Sequence, residues 1–434
     1  MATIYYTGNA PKIAQVQTYT FGGTWEADDV VKVAIGTKVY YFTGGSTTIT
    51  TAIDTIVAAW NALDSTVYPE FAEITASRSS SKLVLTADTA GMPFVATLTP
   101  LEANLGAADS QTIEGAGTAT TGTTATANSG PNDWSVALNW SGSAVPSSSD
   151  TVYIENNAND IIYGLSQSAV TLTALYISST YTGKIGLPPV RAVTTGVSYY
   201  EYRATYLAIS ATTLQIGSGA GRCSGRIKID TGSNATACTV YGMASAYDSG
   251  VSALLLKGTH ASNTLDVYGG TVGVCELSGE TARFPVVRVN AVTNNQAPSV
   301  TLGKGIDSSA VITAMGGSVN VNSAVTTITQ YGGTVTDTGT GTVGTLAVYG
   351  GTFVCKTTGS LYGTATAKLG SGAVLDFDQD ARTKNGLIVD AYRGAKIVNS
   401  NGTLNTFQVN AIGCRQQDIE IQTGYGMYSG FAAS

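Results

Sequence analysis

The sequence predicts a mainly β chain in which a small N-terminal α+β unit precedes a single-stranded parallel β-solenoid. Three observations carry this. A phrase recurs in the second half: 265–275 reads LDVYGGTVGVC, 312–321 ITAMGGSVNV, 328–335 ITQYGGTV and 346–355 LAVYGGTFVC. Between about 150 and 425, short alternating apolar runs are broken every 8 to 12 residues by Gly, Asn, Asp or Ser. One segment alone, 50–63, has helical periodicity. A strand, a Gly-Gly bend and a second strand cannot bury an apolar face alone, but stacked copies can. Tandem β-sandwiches are the alternative architecture.

Taken in chain order, 1–105 reads as the α+β unit. Residues 30–42 form a hairpin-like pair with Gly36 at its bend. In 50–63, Ile53, Ile56, Val57 and Trp60 share one helix face. Strand candidates at 73–77, 82–87 and 94–98 complete a ββαβββ pattern. Residues 106–131, rich in Thr, Ala and Gly, read as a linker. In 132–155, Trp134 and Trp140 precede the apolar strand TVYI and read as a cap over the open end of the core. The solenoid is expected over 156–425, in about a dozen coils. Met315, Tyr331 and Tyr349 are 16 and 18 residues apart, and Tyr268 lies 47 before Met315, room for two unmarked copies. The apolar, aromatic segment 426–434 reads as a docking tail.

Composition narrows the function. Charged residues are 12% and the net charge is −7, without a basic run, so a phosphate backbone finds little counter-charge and nucleic acid is not an expected partner. There is no apolar run of about twenty residues and therefore no expected membrane span. Nor does the N-terminus show a basic region followed by an apolar one, as a secretory signal would. Five scattered cysteines with no CxxC spacing read as reduced, buried thiols in a protein made in a cytoplasm.

Catalytic and cofactor signals are weak, and the chain is read as a non-enzyme without cofactor. The single histidine, His260, sits in a turn-like KGTHASN and cannot build an imidazole cluster. Asp376, Asp378 and Asp380 would share one face of a strand; a charged outer surface is the simpler reading, with bound Ca²⁺ or a glycosidase acid pair as alternatives. Tyr199, Tyr200, Glu201, Tyr202, Arg203 and Tyr206 form a cluster whose alternation puts Tyr200, Tyr202 and Tyr206 on one face and Tyr199 and Arg203 on the other. Such a strip suits packing against another subunit or contact with a glycan.

The opening MATIYYTGNAPKIAQV, the ββαβββ unit and the segment NWSGSAVPSSSDTVYI together resemble structural proteins of tailed bacteriophages and their parallel β-helices. The resemblance implies a virion-surface protein made in the bacterial host cytoplasm, commonly a homotrimer. Its partners would be copies of itself and the major capsid or tail proteins. As a head decoration, head fibre or tail appendage it would attach through the N-terminal unit and project the solenoid. A receptor-recognising tail spike that binds host glycan, or a polysaccharide depolymerase, are the other roles the resemblance allows. No functional residues carry over.

Overall fold

The protein is described from a computed structural model over residues 2–101, 111–114, 123–192, 197–218, 221–244, 250–291, 296–339, 341–356, 366–378, 387–399 and 407–423. A 23-strand parallel array dominates it. From Leu207–Ile216 onward, strands of the solenoid pair with the second strand onward in the chain, so each of these coils contributes one strand to each of two sheets. Beyond residue 150 every pairing between named strands is parallel except one ribbon, Val190–Ala192 with Ser198–Tyr200, which excludes tandem sandwiches among the described residues.

Sheet I stacks thirteen strands, from Thr3–Tyr5 and Thr151–Ile154 to Gln408–Ala411. At about 4.8 Å per rung its axis is about 60 Å long. One inward column runs Ile4, Val152, Leu175, Leu214, Cys238, Leu265, Val287, Ile312, Ile328, Leu346, Ala367, Val389 and Val409, each facing the next. All are buried in one continuous core. Because strand side chains alternate, their neighbours point out toward solvent, which explains the TLDV and VITA patterns. Gln330 is the polar intruder in the adjoining column, and its Nε2 donates to the carbonyls of Gly333 and Thr352, both at 3.0 Å. It thereby ties the bends of two successive coils together.

Coils are uneven. Ile312, Ile328 and Leu346 face one another at the 16- and 18-residue spacing expected from the sequence. Between Tyr268 and Met315, however, there is one intervening coil (the strand Val286–Val289), not two, because these coils are longer. The Gly-Gly bend has a physical reason. Gly333 and Gly351 have φ of +71° and +78°, and a Cβ on either would press into the backbone of the glycines one coil earlier. The sparse charges are paired between rungs: Asp266 with Arg288 at 2.9 Å and Lys396 with Glu420 at 3.0 Å are register partners.

The N-terminal boundary differs from the sequence reading. Thr3–Tyr5 belongs to the solenoid, pairing with Thr151–Tyr153. The chain then leaves, builds a second core, and returns. That module has the antiparallel strands Val16–Gly22, Ile74–Ser79 and Lys82–Ala87, and a separate sheet of Val30–Ile35, Lys38–Thr43 and Ala96–Leu101. The helix Ile49–Asn61 buries Ala52, Ile53, Ile56 and Trp60 against it, and Trp60 Nε1 donates to the Ile74 carbonyl at 2.9 Å. Val57, expected on that face, is only half-buried. The expected linker also departs from its reading, because Thr112–Glu114 and Thr123–Thr126 both pair with Val16–Gly22.

Trp134 and Trp140 lie inside the solenoid core, edge to face at 4.5 Å, with Trp140 Nε1 donating to the Trp134 carbonyl at 2.7 Å. Tyr6 packs on Trp140 at 5.3 Å, so the chain start and the segment after 130 close this end together. Asn139, in the NWS tripeptide, is fully buried and bonded to Gly130 and Asp133, which leaves it no room for a glycan. The expected docking tail, 426–434, lies outside the described residues.

Two predictions follow from the packing. Gly333→Ala should lower the urea midpoint by the equivalent of about 2–3 kcal/mol, combining left-handed strain with a backbone clash. Gly372→Ala, at φ +71° with nothing within 4 Å of the added carbon, should cost about 1 kcal/mol. Equal costs would contradict the stacked bend. Burial pushes the thiols of Cys223 and Cys275 up to about 11, from an ordinary 9.0. Above pH 9 the unfolded chain therefore releases protons that the folded chain retains, and stability should fall between pH 9 and 11. In a Cys223→Ala/Cys275→Ala variant, the fall in urea midpoint over that window should be shallower than in the parent.

Candidate functional site: a buried joint and exposed tyrosine ladders

The tyrosine cluster singled out from the sequence sits on an excursion. Between Leu175 and its register partner Leu214 the chain leaves the coil and forms the ribbon Val190–Ala192 with Ser198–Tyr200. Here the four tyrosines separate. Tyr199 and Tyr206 are buried, Tyr202 is half-buried against the module's core, and only Tyr200 projects, 84% exposed. The expected alternation fails because the chain leaves strand geometry after Tyr200; Tyr199, Tyr202 and Arg203 therefore turn inward together.

What they face is the module. Glu73, at the end of the 3₁₀ turn Phe71–Glu73, is held by Arg191 Nε at 2.6 Å and lies 3.5 Å from Arg203 Nη2. Tyr199 Oη donates to Glu73 Oε1 at 3.0 Å and accepts from Arg203 Nη2 at 2.8 Å. Arg203 Nε donates to Glu201 at 2.7 Å, and its Nη1 to the Pro93 carbonyl at 3.1 Å. Two carboxylates thus meet two guanidiniums in a neutral set, and the Arg203 plane lies 4.8 Å over the Tyr202 ring. Burial alone would lower the Arg203 pKa, yet Glu201, Tyr202 and Glu73 raise it above its ordinary value. Burial raises the phenols of Tyr199, Tyr202 and Tyr206. The turn at Gly36 seats against Tyr202, where a Cβ would collide with its side chain.

Two clefts border this joint. One, about 310 Å³, is lined by Pro93, Val95, Ile162, Tyr163, Tyr202 and Arg203. The other, about 310 Å³ and mostly apolar, lies beneath Pro188, Pro189, Val190, Val251, Leu255 and Leu277. Arg203 faces the first cleft with every guanidinium nitrogen already engaged, so it presents no spare cation to a ligand.

The remaining sequence candidates are dispersed. The strand Val374–Asp376 ends at Asp376, and Asp378 follows it in a turn, donating its backbone N–H to Asp376 Oδ1 at 2.9 Å. Asp380 lies outside the described residues. His260 Nδ1 accepts the Ser262 N–H at 3.0 Å, a local turn contact. Among the described residues no group of three His, Cys, Asp or Glu is placed to hold a metal, and no helix is long and apolar enough to cross a membrane.

Sequence reasoning missed two surfaces. Tyr5, Tyr153 and Tyr176 stack on the outer face of sheet I at 5.2 and 4.9 Å. The tripeptides TIY, TVY and ALY carry that signal, since each puts Tyr two residues after a rung's first outward position. At the corner after sheet I, the aromatic or Met of the repeated phrase forms a second ladder. Met315, Tyr331 and Tyr349, on three successive coils, are 47, 51 and 43% exposed there; Gly370 holds the position on the next coil, and Tyr392, 39% exposed, the one after. Tyr331 stacks on Tyr349, and Tyr241 on Tyr268, each pair at 5.4 Å.

The joint generates a prediction. Glu73→Ala strands Arg191 and Arg203 without their shared carboxylate and should cost about 3 kcal/mol, reduced from the fully buried figure because Arg191 is partly solvated. Limited proteolysis should then cut between module and solenoid faster than in the parent. Arg78→Ala, which removes a solvent-exposed pair with Asp54, should change stability by less than about 1 kcal/mol.

Compared with known proteins, the chain matches no family model, no curated protein and no solved structure.

Proposed function

We propose that the chain is a non-enzymatic structural protein of a tailed-bacteriophage particle, anchored through the N-terminal module and projecting the solenoid as a capsid decoration, head fibre or tail appendage. The observation that carries this reading is the main-chain ladder from Thr3 to Thr423, a rod whose rigidity comes from backbone pairing and not from disulfides. The neutral ionic joint supports the same role, because Glu73 of the module is paired with Arg191 and Arg203 of the solenoid's excursion. Partners in this reading are the capsid or tail proteins and further copies of the chain. A homotrimer is supported by the ribbon, which turns Arg191 and Tyr199 toward the module while Val190 and Tyr200 face outward, 44 and 84% exposed, beside an apolar cleft. Receptor recognition through a glycan is the second reading, favoured by the corner ladder of exposed tyrosines.

Mass spectrometry of purified particles resolved on denaturing gels should find the chain in stoichiometric amount; particles that lack it end the proposal. Light scattering of the purified protein should give three times the 44.4 kDa chain mass, and Tyr200→Glu should reduce this to one chain.

A further inference from the structure

We propose that the corner ladder is a binding site for a neutral, linear polysaccharide lying along the solenoid axis over Met315, Tyr331 and Tyr349. This rests on the glycan-binding reading above and is independent of the particle role. The side chains occupy equivalent positions on the coils. The backbone amides of Met315, Tyr331 and Tyr349 donate to Val289, Ala314 and Gln330 of the preceding coil, each at 2.7 Å, and Gly370, whose amide donates to Val348, ends the strip on the next coil. Their roots are therefore fixed by the ladder, while roughly half of each side chain is open to solvent. Tyr331 and Tyr349 are already ordered by offset stacking at 5.4 Å and 24°, so little rotamer freedom remains to be lost on binding.

The shape of the strip selects the occupant. It is one residue wide and several coils long, whereas a stable protein partner needs a broad patch of about 800 Å² on each side. Beside it run the Gly-Gly bends, too bare to add contact area, and then the hydroxyls of Ser318, Thr334 and Thr352. No Asp, Glu, Lys or Arg occurs in 315–318, 331–334 or 349–352, so neither cationic nor anionic chains find a counter-charge there. A rung of about 4.8 Å is close to the length of one pyranose unit in an extended chain. Tyrosine offers an apolar ring to sugar C–H groups and a hydroxyl to sugar hydroxyls. A narrow, uncharged, periodic ligand that is both apolar and hydroxylated meets all four conditions.

Affinity electrophoresis of the full chain tests this, in gels containing dextran, galactomannan, mixed-linkage β-glucan or hydroxyethyl cellulose, with hyaluronate as the charged comparator. At least one neutral polymer should retard the protein, and about 0.5 M salt should leave the retardation intact. Tyr331→Ala/Tyr349→Ala should weaken it about tenfold, Tyr331→Phe/Tyr349→Phe distinctly less. Should the alanine pair fail to fold, Thr334→Glu keeps both rings and sets a charge beside the strip; it should weaken retention too. No retardation by any neutral polymer, retention by hyaluronate alone, or retention unchanged in the variants that fold would overturn the proposal.

Discussion

Each coil of this protein can form only where its amides find the carbonyls of the coil before it. Parallel strands in register satisfy their backbone groups across the stack, and the strand termini must then turn without lifting the next coil off the ladder. At the bends after sheet I the clearance is so small that a β-carbon at Gly333 or Gly351 would enter the neighbouring backbone. Registry, bend chemistry and the buried column are consequently one constraint: a bend that widened would separate the Ile312, Ile328 and Leu346 contacts beneath it.

The same constraint explains how the rest of the chain is arranged. Loops lengthen wherever they leave the stack on its outside, so beyond residue 150 the register distances in sheet I range from 16 residues at Ile312–Ile328 to 39 at Leu175–Leu214. The N-terminal module is the longest of these excursions, because it is inserted between the first two rungs of sheet I, Thr3–Tyr5 and Thr151–Ile154. Both of its ends are thus held by the solenoid. The Glu73, Arg191, Arg203 and Glu201 set adds a third attachment on a separate excursion. A module tied at three places transmits force to the shaft better than one on a flexible linker, which suits an anchoring role.

Local periodicity made much of this legible. The hairpin at Gly36, the Ile49–Asn61 helix and the strands around Leu207–Ile216, Val286–Val289 and Lys396–Asn399 follow from alternation, helical spacing and glycine placement. Long-range pairing was not legible in the same way. Thr3–Tyr5 is a three-residue strand whose partner lies 148 residues on, and only the likeness of TIY to TVY marks it. The strand Val16–Gly22 was hidden by threonines that dilute its alternation, VQTYTFG. The tyrosine cluster misled because period two applies only while the chain stays in a strand; Tyr202 and Arg203 lie beyond the ribbon, and their orientation is set by Glu73, 130 residues earlier in the case of Arg203. Conversely, the aromatic of the repeated phrase marks the repeat in the sequence, and its corner position leaves it exposed on the three successive coils of Met315, Tyr331 and Tyr349.

Distances between spin labels along sheet I test the stacking most directly. Thr213, Thr327 and Gln408 occupy the same outward column, five and nine rungs apart. Pulsed dipolar spectroscopy should give separations growing by about 4.8 Å per rung, near 24 Å for Thr213–Thr327 and about 43 Å for Thr213–Gln408. Separations that fail to grow with rung number would contradict a continuous parallel stack.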